Sequence, residues 1–97
     1  MKCNINRVTC IIKREHHNPH ERILRLGGIT RDNGYWESSE KEVITMIKSG
    51  KYRFYVSVNG RTVDVIIAVH EGREYLKTTA DGYAPNNLLN LDTCPAN

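Results

Sequence analysis

The segment 77–88, KTTADGYAPNNL, places a Lys, two Thr, an Asp and two Asn within a dozen positions of this 97-residue sequence. A catalytic interpretation needs a nucleophile with a base, for which Lys77 and Asp81 are the candidates, with Thr78 beside them. No histidine is placed by the sequence to join them. Short polar side chains in loops usually bond to nearby backbone groups instead. We therefore interpret Thr78, Asp81 and Asn87 as a structural loop and predict no catalytic residue.

A metal site is the second chemistry to consider. His16, His17 and His20 share one loop and lie close in sequence to Cys10 and Cys3, and zinc accepts such ligands. No C-x-x-C pair is present, although structural zinc sites usually show closely paired ligands. Cys10 falls on the apolar side of its strand, where a thiol behaves as a small hydrophobe. We predict no metal site and no cofactor.

Bulk properties indicate the setting of the domain. Three cysteines, an odd number, and an N-terminus without an apolar signal core predict free thiols and a cytoplasmic location. No stretch approaches the roughly 18 apolar residues of a membrane span, so we expect no membrane partner. The net charge of +3 is concentrated in the first third of the chain, where so small an excess more often serves solubility than polyanion binding.

The first half of the chain predicts two strands and a helix. The strands are Arg7–Arg14 and Arg22–Thr30, with a bulge or sharp bend at Gly27-Gly28, and the turn 31–34 follows them. A capping box of Ser39 and Glu42 starts the helix, and Gly50 suits the position just past its end. The apolar stripe of the helix is formed by Val43, Ile44 and Ile47. Just before the helix stands Trp36, which we expect to pack in the core.

The second half predicts an antiparallel meander. Asn59-Gly60 between two alternating runs is the strongest short hairpin signal, and Glu71-Gly72 marks a second turn before a strand over 73–79. Two-residue turns set the register, which pairs on the core side Val56 with Val63, Phe54 with Val65, Tyr52 with Ile67, Ile67 with Leu76 and Val65 with Thr78. The element order β-β-α-β-β-β predicts an α+β fold: one mostly antiparallel sheet with a single helix on its apolar face. Residues 1–97 form one domain, whose tail 80–97 packs on the sheet through Leu88, Leu89 and Leu91.

Several segments, taken in order, resemble one known family. They are Trp36, Val43-Ile44, Ile47, Gly50, Phe54-Tyr55-Val56, Tyr75-Leu76-Lys77-Thr78 with Asp81, and Asn87-Leu88-Leu89 with Leu91. The sequence is similar over nearly its whole length to DUF3892, a family of small bacterial and archaeal domains of unknown function. The resemblance implies a single compact domain and no particular activity.

The meander register also places cations and aromatic rings on the face opposite the core. This candidate binding face consists of Lys51, Arg53, Tyr55, Tyr75 and Lys77. Such a mixture can stack and neutralise single-stranded nucleic acid. Alternatively, tyrosine is simply a good strand residue, the cations keep an open sheet soluble, and the N-terminal hairpin covers the tyrosines.

We predict from the sequence a non-catalytic binding or accessory domain, and we expect its partner to be another protein. Single-stranded nucleic acid on the candidate binding face is the first alternative, and an enzyme using Lys77, Thr78 and Asp81 is a more distant one. We expect a monomer or a weak dimer.

Overall fold

A computed structural model describes residues 4–14, 20, 22–30, 33–58, 60–80, 82 and 86–95. The elements in chain order are β1 Asn4–Arg7, β2 Cys10–Lys13, β3 Ile23–Ile29, β4 Tyr35–Ser39, α1 Glu40–Lys48, β5 Tyr52–Val58, β6 Arg61–His70, β7 Arg73–Thr78, α2 Asn86–Leu89 and β8 Asp92–Thr93. The α+β class is as predicted. The strands, however, form two sheets instead of one. The first sheet has the order β1-β5-β6-β7 and the second the order β4-β3-β2-β8.

The strand predicted over Arg7–Arg14 is divided because the chain changes sheets at Val8 and Thr9. The Val8 N–H donates to the carbonyl oxygen of Tyr55 in β5 at 2.8 Å, whereas the Thr9 N–H donates to that of Gly27 in β3 at 2.9 Å. β1 pairs parallel with β5, and β2 pairs antiparallel with β3. One short segment therefore belongs to both sheets and holds them together.

The glycine pair in β3 serves close approach and not a bulge. The irregularity in the β2–β3 pairing lies elsewhere, between Ile12 and Lys13. A Cβ atom on Gly28 would lie 1.9 Å from the Arg7 carbonyl oxygen, and one on Gly27 would lie 2.9 Å from Cys10 Sγ. Only glycine lets the crossing segment come this near to β3.

The helix α1 begins and ends as predicted. Ser39 Oγ accepts the Glu42 N–H at 3.1 Å, and Glu42 Oε1 accepts the Ser39 N–H at 2.9 Å. Gly50 has a φ of +77° just past the helix end. The strand β4 before the helix was not predicted. It carries Trp36, which packs against the core as expected, with its ring centroid 5.3 Å from that of Phe54.

The meander β5–β6–β7 has the predicted register. Val56 pairs with Val63 in the first hairpin, and Ile67 pairs with Leu76 in the second. In the second turn, Glu71 and Gly72 both have positive φ, which is the geometry of a two-residue hairpin turn. The inner faces of both sheets, α1 and α2 share one core cluster, formed by Val8, Ile11, Ile23, Leu26, Val43, Ile44, Phe54, Val56, Val65, Leu76, Leu88 and Leu89.

In the described part of the C-terminal tail, α2 packs into that core through Leu88 and Leu89. After them, β8 adds to β2 in a parallel pair. The prediction of free thiols was wrong for two of the three cysteines, because Cys10 and Cys94 form a disulfide with their Cα atoms 4.8 Å apart. Within the described ranges, no helix has the length and apolar character needed to cross a membrane.

Candidate functional site

The outer face of the first sheet points away from α1 and the core. The registers place on it Ile5, Arg7, Arg53, Tyr55, Asp64, Ile66, Tyr75 and Lys77. Four of the five predicted binding residues thus share one face. Lys51, the fifth, lies just before β5, where it is exposed and its carbonyl oxygen accepts the Asn4 N–H at 2.9 Å.

Two of the cations on this face, Arg53 and Lys77, already have partners within the chain. Arg53 Nη2 lies 2.9 Å from Asp64 Oδ2, and both side chains are about half exposed. Lys77 Nζ donates to the Gly82 carbonyl oxygen. Tyr55 is partly buried. The face therefore carries less uncompensated positive charge than its composition indicates.

Tyr75 is covered, with 4% of its surface exposed. The His20 ring meets the Tyr75 ring edge-on at a centroid distance of 4.6 Å and stacks on His70 at 3.9 Å. His20 thus covers Tyr75 at this end of the face, whereas Tyr55 is only partly buried. His16 and His17 lie outside the described residues. Among the described ones, no group of three or more His, Cys, Asp or Glu side chains is arranged to hold a metal ion.

The polar loop after β7 is tied to the fold by its own side chains. Asn87 Nδ2 donates to Thr78 Oγ1 at 2.8 Å, and Thr78 is fully buried. The bond joins α2 to β7, which is a structural use of both side chains. Asp81, the third member of the predicted structural loop, lies outside the described residues, so the more distant enzymatic alternative stays untested.

Two exposed apolar side chains lie side by side on the outer face of the second sheet. Ile29 and Tyr35 are direct cross-strand partners in β3 and β4 and are 57% and 44% exposed. Gly27, on their side of β3, faces the Tyr35 hydroxyl, whereas Gly28 faces the backbone of Arg7 in β1, so Ile29 and Tyr35 point away from β1. We call Ile29 and Tyr35 the junction surface. Sequence patterns did not mark it, because β4 was not predicted.

The polar edge of the junction surface is held by a short network. Tyr35 Oη donates to Glu37 Oε2 at 2.8 Å, and Arg25 Nε donates to Glu37 Oε1 at 2.6 Å. The hydrogen bond from Arg25, followed by that from Tyr35, lowers the pKa of the Glu37 carboxyl. The network holds the Tyr35 ring in place beside Ile29.

Glu40 is the buried charged residue that sequence reasoning missed. It is 4% exposed at the start of α1. Arg73 Nη2 lies 3.2 Å from Glu40 Oε1, and the Leu76 N–H donates to Glu40 Oε2 at 3.4 Å. Burial raises the pKa of the Glu40 carboxyl, and the charge of Arg73 opposes that shift. An acidic residue in a first helical turn is common, so no pattern signalled its burial.

The elements and surfaces above define a small α+β domain with two sheets sharing one core. The model of the family described as Protein of unknown function (DUF3892) matches residues 7–92, so the chain belongs to that family. No curated protein and no solved structure matches the chain.

Proposed function

We propose that the domain is a protein-binding module and that the junction surface receives a partner segment. The observation that carries the proposal is the cross-strand pair Ile29 and Tyr35, both largely exposed. Single exposed apolar side chains are ordinary on protein surfaces, whereas a group of them points to an interaction site. Tyrosine is also enriched at binding hot spots.

Charge narrows the chemistry of the partner. A cation on the same face is Arg25, which alternates along β3 with Gly27 and Ile29. Its side chain is 39% exposed although its Nε donates to Glu37. An extended segment that alternates apolar and acidic side chains would place the apolar ones on Ile29 and Tyr35. One of its carboxylates would meet the exposed part of the Arg25 guanidinium, since guanidinium groups suit carboxylates geometrically.

A peptide titration tests this proposal. A short peptide alternating Glu and Val is added to the 15N-labelled protein, and a peptide alternating Lys and Val is the control. We expect saturable amide shifts in β3 and β4 with the acidic peptide alone, weakened by Ile29→Ser and by Arg25→Gln. The variant Arg61→Gln removes an exposed cation at the start of β6 and should leave the peptide-induced shifts unchanged. Amide shifts that are unchanged by Ile29→Ser, or the absence of any shifts, would refute the proposal.

Single-stranded nucleic acid on the outer face of the first sheet is the second candidate. The supporting observation is that Arg53, Tyr55 and Lys77 share that face. Tyr55 would be the stacking ring, since Tyr75 is covered by His20. A thymidine oligonucleotide should then shift the amides of Arg53, Tyr55 and Lys77. Binding should weaken steeply with added salt as counterions are released, and Arg53→Gln should weaken it further while Arg61→Gln should not. Salt-independent or absent shifts would eliminate this candidate.

We further propose a cytoplasmic location and a monomeric or weakly dimeric state. The odd number of cysteines supports that location. The Cys10–Cys94 disulfide argues against it, because the cytosol keeps most thiols reduced. Cell fractionation with immediate thiol alkylation tests the proposed location. A disulfide-bonded protein found only outside the cytosol would refute it. Sedimentation equilibrium over a range of concentrations measures the oligomeric state.

A further inference from the structure

A cavity of about 360 Å³ lies beside the first turn of α1, away from the junction surface residues. Its walls come from four elements and from the end of β2. They are formed by Arg14, Leu24, Ser39, Glu40, Lys41 and Arg73. The volume lies at the lower end of the range for small-molecule sites. Three of its six lining residues are cations, and neither proposed function above uses any of them.

Arg73 is held rigidly in the wall of this cavity. Its Nη1 donates to the His20 carbonyl oxygen at 2.6 Å, and its Nη2 lies 3.2 Å from Glu40 Oε1. About one third of the Arg73 side chain is still exposed. The buried carboxylate of Glu40 thus positions a guanidinium whose remaining surface is open to solvent. Such preorganisation lowers the entropy lost when a ligand binds.

The other two cations are uncompensated. Within the described part of the chain, neither Arg14 nor Lys41 forms an ion pair, and both are exposed. Three positive charges against the one carboxylate of Glu40 leave two positive charges at the cavity. A phosphate monoester carries about −1.5 to −2 charges at neutral pH, so it matches this excess more closely than a single carboxylate would.

We propose that this cavity binds a small organic phosphate. The phosphate oxygens would be held by Arg14, Lys41 and Arg73, since guanidinium and ammonium groups are the usual phosphate ligands. The Leu24 side chain, 39% exposed at the cavity wall, would contact the organic part. The proposal is independent of the protein-binding function, because the two surfaces share no residue.

Glycerol 3-phosphate is the probe that tests the site. Its binding is monitored through the amide shifts of the 15N-labelled protein at low salt. We expect saturable shifts at Lys41 and Arg73 and none with glycerol. The double variant R14Q/K41Q should reduce the affinity about tenfold or more, because it removes two charge-assisted contacts. It should fold normally, since neither side chain forms an ion pair or hydrogen bond with the residues that the structure describes. The variant Arg61→Gln is the matched control and should bind as the unaltered protein does.

Further titrations identify which kind of phosphate compound the cavity binds. Inorganic phosphate should bind more weakly than glycerol 3-phosphate if Leu24 contacts the organic part, and Leu24→Ser should abolish that difference. Equal binding of inorganic phosphate and sulfate would mean simple charge attraction and would overturn the proposal. Tighter binding of a short phosphoserine peptide would overturn the small-molecule assignment. A double variant that binds as well as the unaltered protein would overturn the assignment of the cavity.

Discussion

Glu40 shows how a single residue can work against the stability of the domain at neutral pH. Its carboxylate is almost fully removed from water, and one guanidinium and one backbone N–H replace the lost hydration. Burial still outweighs these partners, because the pKa of the Glu40 carboxyl is raised above its ordinary value of 4.5. Burying an ion pair often costs more than the pair returns. What the buried Glu40 carboxylate contributes instead is a fixed orientation of the Arg73 guanidinium.

The pH dependence of unfolding should report this burial. Because the folded-state pKa of Glu40 is raised, its contribution to stability is complete below pH 4.5 and is lost as the pH rises through the folded pKa. Glu40→Gln stays neutral, so we expect the variant to gain stability relative to the unaltered protein as the pH rises above 4.5. Urea unfolding at a series of pH values measures the difference. A difference that does not change with pH would contradict this account.

Glu42 provides a control of opposite sign. The backbone N–H of Ser39 lowers the pKa of the Glu42 carboxyl, so its contribution is present above pH 4.5 and is lost as the pH falls through the folded pKa. Glu42→Gln should therefore lose stability relative to the unaltered protein at neutral pH, and the difference should shrink in acid. Parallel curves for the two Gln variants would mean that neither assignment is right.

Gly28 is the glycine at which an added methyl group should lower the free energy of unfolding most. An added Cβ would lie 1.9 Å from the Arg7 carbonyl oxygen and 2.6 Å from Trp36 Nε1. Backbone must move to relieve the first contact, so Gly28→Ala should lower the free energy of unfolding by about 3 kcal/mol, the upper end for overpacking. Gly34→Ala is the control, since its one near neighbour is the exposed Thr30 hydroxyl at 2.9 Å. Urea denaturation compares the two, and equal losses would contradict the crossing geometry.

Among the elements, α1 depends on its capping box. The nine-residue helix is too short to be stable alone, and Ser39 and Glu42 satisfy each other's backbone N–H groups. Ser39→Ala should cost about 1 kcal/mol of unfolding free energy. Ser38→Ala, one residue earlier in β4, should cost much less. Thermal and urea unfolding of both variants check the difference, and an equal cost would mean that the cap contributes nothing specific.

The elements predictable from the sequence were those with local signals. Ser39-x-x-Glu42 and Gly50 delimited α1, since capping bonds span only three residues. Two-residue turns at Gly60 and Gly72 determined the register of the meander, because alternating side chains leave one pairing that buries a single face. Each of these features depends on neighbours in the chain and not on distant contacts.

The features that escaped prediction depend on distant contacts. The sheet change at Val8 and Thr9 is made by bonds to Tyr55 and Gly27, and no local pattern reports which strand a backbone group will reach. β8 has two residues, too few to show alternation. Register put Arg53, Tyr55, Tyr75 and Lys77 on one face, as the strand pairings have them. The coverage of Tyr75 by His20 comes from a residue 55 positions away, which register cannot show.

At the scale of the whole molecule, the Cys10–Cys94 disulfide spans 84 residues of sequence. Closing so long a loop restricts the unfolded chain, and chain-entropy estimates give about 4 kcal/mol of stabilisation. Reduction, or Cys94→Ser, should therefore lower the free energy of unfolding by up to that amount. Cys3→Ser is the control and should leave it unchanged. Denaturant unfolding with and without reductant measures the effect.

Alkylation provides a direct check on the same bond. Under denaturing but non-reducing conditions, Cys10 and Cys94 should remain unmodified, and reduction should make both reactive. Alkylation of both without reductant would restore the free-thiol prediction made from the sequence.

The disulfide also changes how the domain responds to force. If the chain is pulled from its two ends, the tension passes from Cys10 directly to Cys94 through a covalent bond. Once β1 has separated from β5, residues 11–93 carry none of the load and cannot be drawn out, however weak their own contacts. The oxidised domain would act as an inextensible link in any assembly that stretches it. The reduced domain would pass the tension into its strands and release the length stored between the two cysteines.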